Sequence, residues 1–214
     1  MRLLLVEDHA LLSQTLGVAL RAEGFEVESP PDLSAGAVLA HADAVRPDVV
    51  LLDLELGPGL SGVPVIRPLC EQGFEVVVVT GTGDHRLLGE CLEAGASGIF
   101  QKSRPFTELV EAIRIALGHR PVTSATAREQ LLREMRDGRA AEQATAEPFE
   151  RLTPREREVL QLLADGRSAE KIAAELFVSL STVRTQVRAI LMKLDVNSQL
   201  EAVAMARRAG WSRS

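Results

Sequence analysis

The 214-residue sequence predicts an α/β domain built on a doubly wound, five-stranded parallel sheet, followed by a smaller all-helical domain. Three observations predict it. Five short apolar runs alternate with helical patterns across the first 118 residues, the signature of strand–helix units. Three of those runs are purely apolar, as strands buried on both faces of a parallel sheet require. The last third instead holds three short helical patterns separated by tight turns.

The strand candidates are Leu3–Val6, Phe25–Glu28, Val49–Leu52, Val76–Val79 and Gly98–Gln101. Between the first two, Leu11, Leu12, Leu16, Ala19 and Leu20 recur at the 3–4 spacing of a helix. Pro121 follows the last helical pattern of this domain, setting its extent at residues 1–120. Residues 121–150 read as a linker: Thr126–Arg136 suits a polar helix, and Gly138–Pro148 a flexible joint. The second domain spans 151–214. Thr153 caps its first helix, Pro154 suits the first helical position, and Glu156 completes a capping box. Gly166 supplies the stop. Ser168 starts a second short helix, and Ser179 or Ser181 starts a third.

The net charge of −6 hides an asymmetry. Residues 1–120 hold nine Lys/Arg against 17 Asp/Glu, whereas residues 151–214 hold 11 against seven. An acidic body with a basic tail implies that the tail meets nucleic acid. No apolar run reaches the roughly 20 residues of a membrane span, and the apolar N-terminus is too short for a signal peptide. Cys70 and Cys91 have no metal-ligand spacing and read as buried free thiols of a reducing cytoplasm.

Ligands of parallel α/β sheets bind at the carboxyl ends of the strands. Glu7 and Asp8 follow the first strand, Asp53 ends the third, Thr80 ends the fourth, and Lys102 follows the fifth. Three converging carboxylates repel one another unless a cation joins them, and oxygen ligands with room for water suit Mg²⁺. One carboxylate can then attack a phosphoryl group and form an acyl phosphate. Thr80 and Lys102 would hold the new oxygens. His9 beside this pocket reads as a partly exposed helix-start residue.

In the third helical pattern of the tail, Val183, Val187, Ile190, Leu191 and Leu194 form a buried face. Arg184 and Arg188 are four apart, with Thr185 beside them, and share another face. Arginine can donate bidentately to guanine, and the threonine methyl can touch a thymine methyl. Gln186, Lys193 and Arg167 suit phosphate contacts. This is the layout of a helix-turn-helix that lays one helix in a DNA groove. One such module binds weakly alone, so a homodimer on paired half-sites is expected. In the last helix, near Gln199–Arg208, Leu200, Val203 and Ala204 are placed for packing, either into the domain core or against a second copy of the chain.

Residues 1–118, with Glu7, Asp8, Asp53, Thr80 and Lys102 at the strand ends, resemble a response-regulator receiver domain of flavodoxin-like fold. Residues 151–211, with L-T-P-R-E-R-E-V-L through T-V-R-T-Q-V, resemble a LuxR-type helix-turn-helix. Together they resemble the NarL/FixJ family of two-component response regulators. The resemblance implies that Asp53 is the phosphoacceptor, that Asp8, Glu7, Asp53 and the Glu55 carbonyl hold Mg²⁺, and that Thr80 and Lys102 sense the phosphoryl group. It implies that Arg184, Thr185 and Arg188 meet base edges. It further implies a cognate sensor histidine kinase, a homodimer when active, a cytoplasmic protein, and no enzyme activity beyond self-phosphorylation and autodephosphorylation. Two positions depart from the family pattern. Ile99 stands where the family has Tyr or Phe, with Phe100 pointing to the other face of the strand. Gly57 stands where it has proline, with Pro58 next. These departures leave open a phosphorylation-independent regulator whose receiver binds a protein or ligand.

Overall fold

The computed structural model describes residues 1–209. The chain divides into one unit covering Met1–Asp137 and a second from Gly138 onward.

The first unit carries β1 (Arg2–Val6), α1 (Ala10–Ala22), β2 (Glu26–Glu28), α2 (Ala35–Val45), β3 (Val49–Leu52), α3 (Val63–Glu71), β4 (Glu75–Thr80), α4 (His85–Glu93), β5 (Gly98–Gln101) and α5 (Phe106–Leu117). The five strands form one parallel sheet of order β2-β1-β3-β4-β5. The order reverses between β1 and β3, which opens a crevice at their carboxyl ends.

Side-chain alternation builds two cores, one on each face of the sheet. Leu4, Val6, Val50, Leu52, Val76 and Val78 pack against α2, α3 and α4 through Val38, Ala42, Ile66, Leu69 and Leu88. Leu3, Leu5, Val49, Leu51, Val77 and Val79 pack against α1 and α5 through Leu20, Leu109 and Ile113. Ile99 joins the first core and Phe100 the second, so adjacent residues of β5 face opposite ways. The strands are therefore apolar throughout because neither face meets water. Leu11, whose spacing suggests the buried face of α1, is instead 82% exposed, while Gly17 and Leu20 take the sheet side.

Local chemistry starts the helices. Ser34 caps α2, and Asp84 caps α4 by accepting from the Arg86 and Leu87 N–H groups at 3.0 and 3.2 Å. After α5 a long helix, α6 (Ala125–Glu150), crosses the boundary between the units. Gly138–Pro148, where the sequence suggests a flexible joint, is helical. Ala140, Ala141 and Ala144 are strong helix formers and outweigh the single Gly138.

The second unit adds α7 (Pro154–Ala164), α8 (Ala169–Glu175), α9 (Leu180–Leu194) and α10 (Gln199–Arg208). Thr153, Ser168, Ser179 and Ser198 cap the four helices. Thr153 and Glu156 form the full capping box, with Glu156 Oε2 accepting from the Thr153 N–H at 2.7 Å. Gly166 takes φ +79 just beyond α7. Val159, Leu160, Ile172, Val183, Ile190 and Leu194 form the core. In α10 the buried residues are Ala202 and Ala206, with Val203 partly buried. Leu200 is 79% exposed and takes no part in the core, because the helix turns its alanines inward to let α7 and α9 approach.

Among the described residues, no helix is long and apolar enough to cross a membrane.

Candidate functional site

The crevice at the sheet's switch point collects the polar strand ends. β1 delivers Glu7 and Asp8, and the Asp53 N–H continues the β1–β3 ladder by donating to Val6 O at 2.9 Å. Glu7, Asp53 and Thr80 are buried. The Lys102 amide donates to Thr80 O at 2.9 Å, which places its side chain over the crevice. Its Nζ then lies 2.8 Å from Asp53 Oδ2 and 2.7 Å from Glu7 Oε2. Burial pushes the Lys102 ammonium towards deprotonation, but its hydrogen bonds to Asp53 and Glu7 outweigh this and raise its pKa. Asp53 Oδ1 accepts from the Leu54 N–H at 2.7 Å, and Thr80 Oγ1 accepts from the Thr82 N–H at 3.2 Å.

Ligand atoms of Glu7, Asp8, His9 and Asp53 lie within 4.8 Å of one another. Three carboxylates against one ammonium leave the deficit that a divalent cation fills. Asp8 Oδ1 is buried and makes no hydrogen bond. His9 Nδ1 is 2.8 Å from it, but bonds Glu7 Oε1 at 3.0 Å. A buried carboxylate oxygen that accepts no hydrogen bond, beside two more carboxylates, fits an oxygen-seeking ion.

The floor of the crevice is a tight return after β3. Glu55 bridges to Ser61, and the Gly62 N–H donates to Leu54 O at 3.0 Å. A Cβ on Gly62 would sit 2.1 Å from the Asp53 carbonyl oxygen, so this position requires glycine. Gly57 has φ +102, a conformation proline cannot adopt.

The second unit presents a different surface. On α9, Arg184, Thr185 and Arg188 are exposed on one side while Val183, Ile190 and Leu194 are buried on the other. Thr185 Oγ1 donates back to Ser181 O at 3.0 Å, which leaves its methyl group to face outward. Ser179 Oγ accepts from the Thr182 N–H at 3.1 Å and sets the start of α9. α8 packs across α9, and Arg155 ties their connecting turn to α7 by donating to Leu176 O at 3.0 Å.

Residues 3–114 match the family described as the response regulator receiver domain, and residues 150–206 match the bacterial regulatory proteins of the luxR family. The chain belongs to the two-component response regulators. The LiaR transcriptional regulatory protein of Bacillus subtilis is 31% identical over 210 residues, covering 97% of both chains. DesR of the same organism is 31% identical over 208 residues, covering 97% of this chain and 96% of its own. The structure of RcsB from Salmonella enterica serovar Typhimurium, bound to a promoter in the presence of phosphomimetic BeF3−, has the same fold. It is 22% identical, with 96% of this chain and 97% of that chain covered and a TM-score of 0.52. This response regulator is a transcription regulator with a LuxR-type DNA-binding domain, not a conventional enzyme.

Within the receiver domain, Glu7, Asp8, Asp53, Thr80 and Lys102 all gather at one edge. Glu55 lines the adjoining cleft with Asp8, His9, Gly57 and Ser61, but its side chain stands outside the carboxylate group. His9, read from the sequence as a partly exposed helix-start residue, does stand exposed at the start of α1, and its ring also reaches that group. The Glu7 hydrogen bond and the charge of Asp8 raise its pKa. Its signal was its position two residues beyond Glu7, but no spacing rule reveals a ring turned back onto its own strand end.

Within the DNA-binding domain, Arg167 is exposed at the α7–α8 turn. Gln186 and Lys193 are not brought to the face of Arg184 and Arg188. Gln186 Oε1 is buried without a partner. Lys193 Nζ lies 2.6 Å from Glu156 Oε2, the same oxygen that accepts the Thr153 N–H. Its charge is engaged by the cap of α7 because it lies nine residues beyond Arg184, half a helical turn away. Met192, four residues past Arg188 and 73% exposed, shares the arginine side instead.

Proposed function

We propose that this response regulator binds DNA under the control of phosphorylation at Asp53. The observation that carries the reading is Lys102 Nζ bridging Asp53 Oδ2 and Glu7 Oε2 beside the Asp8 carboxylate. Glu7, Asp8 and Asp53, with the Glu55 carbonyl, would hold Mg²⁺, which supplies charge neutralisation for a transferring phosphoryl group. An Asp53 carboxylate oxygen attacks the phosphorus of the donor. The bond to the donor's leaving group breaks, and that group departs with the electron pair. Lys102 Nζ keeps one acidic partner and gives up the other to donate to one of the new oxygens, while the Thr80 hydroxyl donates to a second. Phosphorylation adds about 1.5–2 negative charges at a strand end, by analogy with other phosphorylated residues. The donor is a cognate sensor histidine kinase, and the compartment is the cytoplasm.

For output, Arg184 and Arg188 donate to base edges and the Thr185 methyl contacts a thymine methyl. Arg167 meets phosphate, and Lys193 serves the fold of α7. RcsB was solved on a promoter with a phosphoryl mimic, and the same two requirements are proposed here. Paired half-sites call for a homodimer. The corresponding organisation is a receiver at 1–120, a linker at 121–150 and a DNA-binding domain at 151–214.

A second reading, in which the receiver binds a protein or ligand without phosphorylation, is favoured by Ile99. Its side chain packs in the core and its N–H is held by Thr123 Oγ1 at 2.8 Å, with no aromatic group to swing. Incubation of wild type and Asp53→Asn with Mg²⁺ and acetyl phosphate, followed by intact mass and gel-shift titration, separates the two. The main reading expects one phosphoryl group on wild type, none on the variant, and tighter operator binding by wild type alone. Equal binding by both proteins, with no mass gain, selects the second reading.

A further inference from the structure

His9 holds the N-cap position of α1, yet its side chain makes no hydrogen bond to the first turn. Glu7 draws it the other way. Glu7 Oε1 accepts from the His9 N–H at 3.1 Å and lies 3.0 Å from the ring nitrogen Nδ1. The other Glu7 oxygen, Oε2, goes to Lys102, which also takes Asp53 Oδ2. Lysine and imidazole thus divide the carboxylates between them. Nδ1 is also 2.8 Å from Asp8 Oδ1, the buried oxygen that accepts no hydrogen bond. The ring is aimed at Glu7, so Nδ1 and Asp8 Oδ1 lie side by side rather than donor to acceptor. Two ligands of one ion lie in this way. An ion held octahedrally at about 2.1 Å keeps neighbouring ligands about 3 Å apart, close to both nitrogen–oxygen distances at His9. One atom each of Glu7, Asp8, His9 and Asp53 fits within 4.8 Å. The adjoining cleft, about 440 Å³ and lined by Glu55, Gly57, Ser61 and Thr82, has room for water to complete a shell.

We propose that the His9 imidazole is a fourth protein ligand of the cation site, and that it selects a first-row transition ion such as Mn²⁺ over Mg²⁺. This rests on the reading above that Glu7, Asp8 and Asp53 hold a divalent cation. The donor set separates the two ions in two ways. Mg²⁺ keeps several waters and usually takes one or two carboxylates, so three carboxylates and a ring nitrogen exceed what it uses. Imidazole is a softer donor than carboxylate, so it adds little for Mg²⁺ and more for ions along the Mn²⁺ to Cu²⁺ order. Mg²⁺ still binds through the carboxylates, and the nitrogen tips the choice. The ring binds through the Nδ1 lone pair and keeps one proton on Nε2. A second proton, where the ring carries one, passes to water. The competing role for the ring is that of a counter-charge, an imidazolium that sits between Glu7 and Asp8 in place of an ion. Such a ring competes with every divalent cation alike. The two roles predict opposite results when the ring is removed.

The test uses the full chain, labelled with ¹⁵N in its four histidine side chains and freed of metal by chelation. Mn²⁺ binding is followed by loss of the free-ion electron paramagnetic resonance signal, and Mg²⁺ binding by calorimetry. Pulsed spectra of the bound Mn²⁺ then report whether a ¹⁵N atom is directly bonded to it. Wild type shows that coupling and binds Mn²⁺ about tenfold or more tightly than Mg²⁺. His9→Ala, at an exposed position whose side chain caps nothing, loses the coupling. It weakens Mn²⁺ about tenfold and changes Mg²⁺ by less than about twofold. Bound Mn²⁺ without ¹⁵N coupling in wild type overturns His9 as a ligand and leaves the carboxylate site. Tighter binding of both ions by His9→Ala overturns it as well and makes the ring a counter-charge. Failure of wild type to bind either ion overturns the cation reading and the inference with it. The phosphoryl mass gain of wild type with Mg²⁺ and acetyl phosphate is read separately. Coupling without that mass gain supports the ion site and overturns Asp53 as phosphoacceptor.

Discussion

Glu156 offers a perturbation whose parts can be separated. It accepts the Thr153 N–H at 2.7 Å and pairs with Lys193 at 2.6 Å, joining the start of α7 to the end of α9. Glu156→Ala removes both, leaving the Thr153 N–H without its acceptor. Loss of the cap costs about 1 kcal/mol. The ion pair, whose Lys193 side chain is 35% exposed, adds about 0.5–1 kcal/mol. Glu156→Gln keeps an acceptor for the cap and loses the charge, so it should cost about 0.5–1 kcal/mol. Burial raises the Glu156 pKa, but its bonds to Lys193 and Thr153 outweigh this and hold it below the usual carboxylate range. The folded pKa is therefore depressed. The charge contributes stability above the unfolded value and loses it as pH falls through the folded value. The assay is urea unfolding of the full chain at neutral and acid pH, read by amide exchange in residues 153–194. Wild type should approach the Gln variant as the carboxyl protonates. Equal losses in Gln and Ala at neutral pH would refute the division between cap and charge. A loss below about 0.5 kcal/mol in both would refute the role assigned to Glu156.

Other consequences follow from single contacts. Gly62→Ala forces a methyl group against the Asp53 carbonyl and should destabilise the receiver by about 1–3 kcal/mol, measured by urea unfolding. Arg184→Ala or Arg188→Ala should weaken specific DNA binding by about 1–3 kcal/mol in a gel-shift titration, with wild-type affinity falling steeply as salt rises. Unchanged operator affinity in both variants removes α9 as the reading helix. Burial pushes the Cys91 thiol up to about 12. At pH 8 that leaves roughly one thiolate in ten thousand, so native Cys91 should resist alkylation that proceeds readily in denaturant, as peptide mass mapping would show.

Much of the architecture was legible because its signals are local. Four valines in a row at Val76–Val79 exclude a half-exposed strand, and Thr153-Pro154 with Glu156 marks a helix start at a defined residue. The carboxylate ring was legible because residues at the ends of parallel strands meet at one edge whatever the loops do. Other features were hidden for physical reasons. Leu11 and Leu200 lie on helix faces that their own spacing cannot distinguish from the buried ones. Lys193 read as a phosphate contact, and its pairing with Glu156 was hidden because that partner is 37 residues away in sequence. His9 turned back onto Glu7, a rotamer choice that depends on its surroundings.

The sequence by itself determined the two-domain plan, the alternation that buries the strands on both faces, and the identity of the residues at the strand ends and on α9. These follow from periodicity and from chain topology. The tertiary structure decided which charges face each other: Lys102 between Asp53 and Glu7, and His9 between Glu7 and Asp8. It also decided the fate of the linker, which Gly89 and Gly98 admit to the α4–β5 face by having no side chain. Such a contact is a matter of missing volume between distant segments, and a glycine shows that only when its neighbours are in place.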